Sequence, residues 1–270
     1  DHRRRDRRPT DATDTDLGHG LRAVITYHSI DPSGSAISTS ESAFLGQMRW
    51  LASSGIPVVA LDDLLSSLAD SDAIALTFDD AFQSFEAIAL DLLAEHGFPS
   101  TLFVVSGKVG GSNNWESDAA STLPVLPLMD WGGIAGAMET GVTPGSHGRT
   151  HRNLTALAQD ELDAEVNGSL EDFQRELGVS PTAFCFPYGD ATSREREAVA
   201  RSYRLAVTTE LRPVASGDDP YSVPRIDAHY LRGPGRLEAF GTPAFERYMK
   251  VRRRGRRLRS SVVRLLGRGK

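Results

Sequence analysis

The stretch that most constrains this chain is Ala73-Ile74-Ala75-Leu76-Thr77-Phe78-Asp79-Asp80, an almost wholly apolar run that ends on two adjacent carboxylates. A run of strand character without polar alternation reads as a strand buried on both faces, as in a parallel sheet covered by helices. Such a strand delivers Asp79 and Asp80 to its C-terminal end, where α/β barrels build their active sites. The structural alternative is that the pair caps the helix predicted over 81–96, since Asp is a favoured N-cap. A second stretch, Gly145-Ser146-His147-Gly148-Arg149-Thr150-His151, shifts the balance toward chemistry. It also follows a short strand-like run, and two histidines with a carboxylate at strand ends make a metal site.

The rest of the chain repeats this arrangement. Strands are predicted over 22–27, 57–60, 101–105, 182–186, 204–208 and 222–226, with a short run at 141–144 leading to His147. Helices are predicted over 41–54, 61–69, 130–139, 157–177 and 193–202. The alternation argues a parallel sheet with helices outside it. No repeat of fixed length is present, which excludes a solenoid. A length of 270 residues, 40% hydrophobic and 24% charged, suits a single α/β barrel, for which about 250 residues is typical. In a barrel, His28, Asp79, Asp80, His147, Tyr188 and His229, all at or just beyond strand ends, converge on one rim. The connection 106–128, carrying Asn113-Asn114-Trp115, is long enough to read as a binding loop.

A carboxylate with two imidazoles is an open catalytic zinc set that leaves a position for water or substrate. His147 and His151 are four apart, a spacing that suits one side of a helical turn. An ion held this way lowers the pKa of its water to about 7 and polarises a carbonyl. A second carboxylate beside it is suited to take the water's proton. Neighbours on a strand end point to different sides, so Asp79 and Asp80 divide these roles.

Several motifs together resemble the polysaccharide deacetylase family, also known as carbohydrate esterase family 4. They are Thr77-Phe78-Asp79-Asp80, Ser146-His147-Gly148-Arg149-Thr150-His151 and Phe186-Pro187-Tyr188-Gly189, with Tyr27-His28 before them and Val223-Pro224-Arg225-Ile226 after. The resemblance runs in order from about residue 21 to 230. It implies a deformed (β/α)7 barrel, and metal-dependent removal of acetyl groups from an N-acetylated sugar through a metal-activated water and a tetrahedral oxyanion. By resemblance Asp79 is the catalytic base, and Asp80, His147 and His151 hold a divalent metal. Zinc is the first choice, with cobalt, manganese or nickel as alternatives. The backbone N–H of Tyr188 is the oxyanion donor, and Pro187 and Tyr188 line the substrate site.

The chain departs from the family pattern at several points. Ala81 stands where Gly usually follows the Asp pair, and Gly148 where Ser or Thr commonly follows the first histidine. The arginine often found before the Pro-Tyr motif is missing from Ala183-Phe184-Cys185-Phe186, and Arg225 is the candidate to replace it by reaching Asp79 from a neighbouring strand. No late Leu-His pair supplies the general acid. His229 is the nearest late candidate and His28 its competitor, with a pocket-lining role open for His28. Trp115 is either a surface for a sugar ring or a loop-packing residue.

Charge divides the chain. Residues 250–270 hold ten Lys or Arg and no acid, leaving 20 basic against 36 acidic residues in the remainder, a balance of −16 against a whole-chain −6. Positive charge confined to one end argues against a nucleic-acid enzyme. The expected organisation is a disordered segment over 1–20, a single catalytic barrel over 21–235 and a basic tail over 236–270. That tail is either solvated or in peripheral contact with an anionic membrane. One cysteine, Cys185, excludes an internal disulfide framework. With no apolar signal-peptide core in view, a cytoplasmic or membrane-peripheral location is expected, without excluding an extracytoplasmic one. The remaining functional alternatives are an amidase acting on a non-sugar C–N bond and a catalytically silent carbohydrate-binding barrel.

Overall fold

A computed structural model describes residues 20–66, 71–115 and 123–267, with side chains in the last helix described as far as 256. In chain order the strands are β1 (Arg22–Tyr27), β2 (Ser29–Ile30), β3 (Ser38–Thr39), β4 (Ala73–Asp79), β5 (Ser100–Val104), β6 (Val142–Ser146), β7 (Ala183–Cys185), β8 (Leu205–Val207) and β9 (Ile226–Asp227). The helices are α1 (Glu41–Ser54), α2 (Leu61–Ser66), α3 (Leu90–His96), α4 (Trp131–Glu139), α5 (Gln159–Leu177), α6 (Ser193–Ala200) and α7 (Pro243–Gly267). Seven strands form one parallel sheet in the order β8-β7-β6-β5-β4-β1-β9, while β2 and β3 pair separately. Residues 67–69 of the expected helix over 61–69, and 1–19 of the expected disordered segment, lie outside the described residues.

The sheet curls into the deformed (β/α)7 barrel expected. Val223 bridges to Val207 of β8, while Ile226 and Asp227 pair with Ile25 and Thr26 of β1, so one segment stitches the two ends of the sheet together. The strand expected over 222–226 is therefore split. Pro224 has no N–H to give a ladder, and regular pairing starts only at Ile226. The strand expected over 57–60 reduces to one bridge, Val58 to Ile74, because β5 begins its pairing with β4 only at Leu76.

Along β4 the side chains alternate as strand geometry requires. Ile74, Leu76 and Phe78 enter the large core under the helices with Tyr27, Phe44 and Phe85. Ala73 and Ala75 enter a second core inside the barrel with Val24, Phe103, Cys185, Val207 and Val223. Thr77 and Asp79 share the parity of Ala73 and Ala75, so Asp79 is the last inward residue of its strand. The same parity in β1 places Thr26 and then His28 on the inward side. Gly145 is required here, because a Cβ at that position would lie 2.5 Å from the Phe103 ring.

The basic stretch after residue 236 does not begin as a tail. Leu237, Phe240, Phe245 and Met249 are buried in the core under the helices. The charge run masks Phe245 and Met249, four apart on one helical face, so the expected tail is instead rooted in the core. Phe245→Ala should therefore destabilise the protein by about 3–5 kcal/mol in denaturant unfolding. A cost within about 0.5 kcal/mol, typical of a surface change, would contradict this packing.

Candidate metal and catalytic centre

The end of β4 turns sharply. Asp80 and Ala81 both have positive φ, +71° and +57°, and helical structure resumes only at Gln83. The Asp pair therefore does not cap the following helix. Ala81, where glycine would be free of strain, is held in the left-handed region with its carbonyl accepting from Met129 N–H at 2.8 Å. The turn sends the two carboxylates to different partners, and both are buried.

Asp79 meets Arg225, which is 1% exposed. Arg225 Nη1 donates to Asp79 Oδ1 at 2.7 Å and Nη2 to Oδ2 at 2.8 Å, a bidentate fork. Its other donors reach Thr208 O, Thr26 Oγ1, Thr77 Oγ1 and Cys185 Sγ at 2.9–3.3 Å. Burial would push the Asp79 carboxyl up, but Arg225, with His28 and His147, outweighs it and holds the acid far below the usual carboxylate range. Asp79 is thus an ionised carboxylate inside the barrel.

Asp80 faces the two histidines. Its Oδ1 lies 3.5 Å from His147 Nε2 and 3.6 Å from His151 Nε2. His147 Nδ1 sits 2.8 Å from the Cys185 carbonyl, which can only accept, so this nitrogen carries a proton and Nε2 is the ring atom turned toward Asp80. Asp80 Oδ1 and His151 Nδ1 are buried without a hydrogen-bond partner. Burial raises the Asp80 pKa, with the nearby Asp79 charge adding to it against His147 and His28. Burial likewise drives His151 well below the usual imidazole value, so its ring is neutral. One ligand atom from each of Asp80, His147 and His151 lies within 4.8 Å of the others, and the unpartnered Asp80 Oδ1 is an acceptor that a cation would satisfy. Asp80, His147 and His151 therefore fit a divalent metal. A second cluster, Asp79 with His147 and Cys185, does not, because Asp79 is engaged by Arg225 and burial keeps the Cys185 thiol protonated.

A family model described as polysaccharide deacetylase matches residues 68–207. The chain belongs to the polysaccharide deacetylase family. A poly-β-1,6-N-acetyl-D-glucosamine N-deacetylase of Staphylococcus aureus is 22% identical over 197 residues, covering 70% of this chain and 67% of the relative. Among solved structures, the deacetylase PplD of Streptococcus pyogenes superposes with a TM-score of 0.70 at 19% identity, over 83% of this chain and 99% of the other. IcaB from Ammonifex degensii gives 0.67 at 22%, over 84% and 98%. These structures share the fold.

In this chain the histidines do not lie on the helical turn that their spacing suggested. Residues 147–153 form no helix, and the approach of the two rings comes from positive φ at Gly148 (+74°) and His151 (+65°). The hydrogen bond that Ser or Thr would give at position 148 is replaced from outside the loop. Glu165 of α5 accepts from the backbone N–H groups of Arg149 and Thr150, each at 2.9 Å, and from the Thr150 hydroxyl. Gly107 N–H ties Arg149 O from the other side at 2.8 Å. Sequence reasoning missed Glu165, yet a signal existed: Leu162, Glu165, Val166, Ser169, Asp172 and Phe173 form the buried stripe of α5.

The remaining predicted residues are placed as follows. His28 is partly exposed, with Nε2 3.6 Å from Asp79 Oδ2. His229 lies exposed on a helical turn, its backbone N–H bonded to Asp227, and no hydrogen bond or ion pair joins it to Asp79, Asp80, His147 or His151. Tyr188 has φ +62° in the turn after β7, its ring edge-on to His151, and Pro187 is buried beneath it. Trp115 is 8% exposed and stacks on His151 at 4.2 Å, so in this structure one face of its ring is occupied by protein. A cavity of about 220 Å³ between Ser29, Asp31, Phe82, Ser84 and Pro127 is separate from these groups.

Glu165→Ala should leave the protein folded but weaken any divalent-metal binding at Asp80, His147 and His151 about 10–100-fold in titration calorimetry, as loss of a group that orients ligands does. Unchanged affinity would show that the loop holds its shape without this carboxylate.

Proposed function

We propose that the chain hydrolyses the N-acetyl groups of a poly-N-acetylhexosamine, with zinc held by Asp80, His147 and His151. The observation that carries this reading is the ionised, Arg225-clamped Asp79 beside a converging Asp-His-His donor set. A divalent cation at that set supplies polarisation of the acetyl carbonyl and acidification of a water. Asp79 takes the proton from the attacking water as the new C–O bond forms to the acetyl carbon. The Tyr188 N–H, set by the turn after β7, donates to the oxyanion that develops. Collapse breaks the C–N bond, the amine accepts a proton, and acetate leaves.

For the proton delivered to the amine, geometry favours His28 over His229. His28 stands in contact with Asp79 and keeps one side toward solvent. Similarity to the Staphylococcus aureus poly-β-1,6-N-acetyl-D-glucosamine N-deacetylase and membership of the family support this sugar class. Fold alone does not fix a substrate.

Acetate release from β-1,6- and β-1,4-linked N-acetylglucosamine oligomers, with added zinc and with chelator, tests the reading. Release should require metal and fall by at least about 100-fold in Asp79→Asn while that variant still binds zinc. Bound metal without release on any saccharide would point to a non-sugar amide. No metal binding would leave a silent binding barrel.

A further inference from the structure

The outer side of α7 carries a pattern that the deacetylase chemistry does not use. The root of the helix is fixed to the barrel. Phe245 and Met249 are buried, Arg253 pairs with Glu210, and the Arg252 guanidinium lies 5.2 Å over the Tyr248 ring. On the side turned away from these contacts Val251 is 62% exposed, with exposed Arg247, Lys250 and Arg254 about it. At 3.6 residues per turn the position of Val251 recurs at 258, 262 and 265, which the sequence fills with Leu258, Val262 and Leu265. The same stretch, from 250 to 270, holds ten Lys or Arg and no acid.

A sequence that repeats apolar residues at helical spacing among cations, continuing from the exposed Val251, narrows the choice of partner. A nucleic acid would use the arginines and leave the stripe in water. A second copy would cover the stripe but bring two arginine-rich faces together. An anionic bilayer satisfies both features, since the acyl boundary takes the stripe and the headgroups take the cations. We propose that α7 is an in-plane anchor that seats this protein on an anionic lipid surface. Among the described residues no helix is long and apolar enough to cross a membrane, which fits contact along the surface. The inference does not depend on the reaction proposed above.

Co-sedimentation of the full chain with phosphatidylcholine vesicles, pure or mixed with phosphatidylglycerol, tests it. Partition into the mixed vesicles should exceed that into neutral ones by about tenfold or more, and should collapse near 1 M salt, where the screening length is about 3 Å. Two double variants separate the contributions: Arg254→Glu with Arg257→Glu, and Val251→Asp with Leu258→Asp. Each should lower partition about tenfold with an unchanged thermal midpoint. Equal binding to neutral vesicles, or undiminished binding of the Val251→Asp/Leu258→Asp variant, would overturn the proposal. So would tighter capture of a DNA duplex than of mixed vesicles, or a dimer that the apolar substitutions dissolve.

Discussion

The bidentate pair between Arg225 and Asp79 is the interaction on which the rest of the centre depends. Two opposite charges stand inside a barrel whose inward side chains are otherwise mostly apolar, apart from Thr26 and Thr77, which Arg225 also reaches. Removing one partner from such a pair typically costs about 3–5 kcal/mol, because the other is left as an uncompensated buried charge. Arg225 can play this part because it lies on the segment that closes the sheet. From there its fork spans inward residues of β1, β4 and β7 and the carbonyl of Thr208 just after β8. One side chain thereby ties the barrel seam to the proposed base.

A division of labour between adjacent carboxylates follows. Asp79 completes the inward parity of β4 and is neutralised by arginine. Asp80, one residue on and past a reversal of φ, is left facing His147 and His151. The same backbone device recurs at Gly148, His151 and Tyr188, each with positive φ. Strained backbone at the rim aims side chains and N–H groups that regular strands would point elsewhere. Ala81 shows that this strain is borne even where glycine would remove it.

Much of this was legible in the sequence, for identifiable reasons. The apolar run of β4 and its strand-helix alternation specify a parallel barrel, and strand ends predict which polar residues share a rim. That Arg225 reaches Asp79 was expected because the arginine usual before the Pro-Tyr motif is missing, and it does so from the segment just before β9. What resisted reading depends on tertiary contact. Glu165 looks like any acid of a long helix until its position on the buried stripe is counted. The turn between His147 and His151 is set by φ values that residue spacing does not encode. The charge run hid the two apolar residues that root α7, and Trp115 has the same composition signal whether it meets sugar or His151.

A double-mutant cycle on the metal-free protein tests the central claim most directly. Wild type, Asp79→Asn, Arg225→Met and the double variant would be unfolded in denaturant between pH 7 and pH 3. Because the folded pKa of Asp79 is depressed, the pair's contribution should be fully present above the ordinary Asp value near 3.9 and be lost only as pH falls below it. The account predicts a coupling of at least about 2 kcal/mol at pH 7 that holds to about pH 4 and then declines. Costs that add within about 0.5 kcal/mol at pH 7 would contradict it.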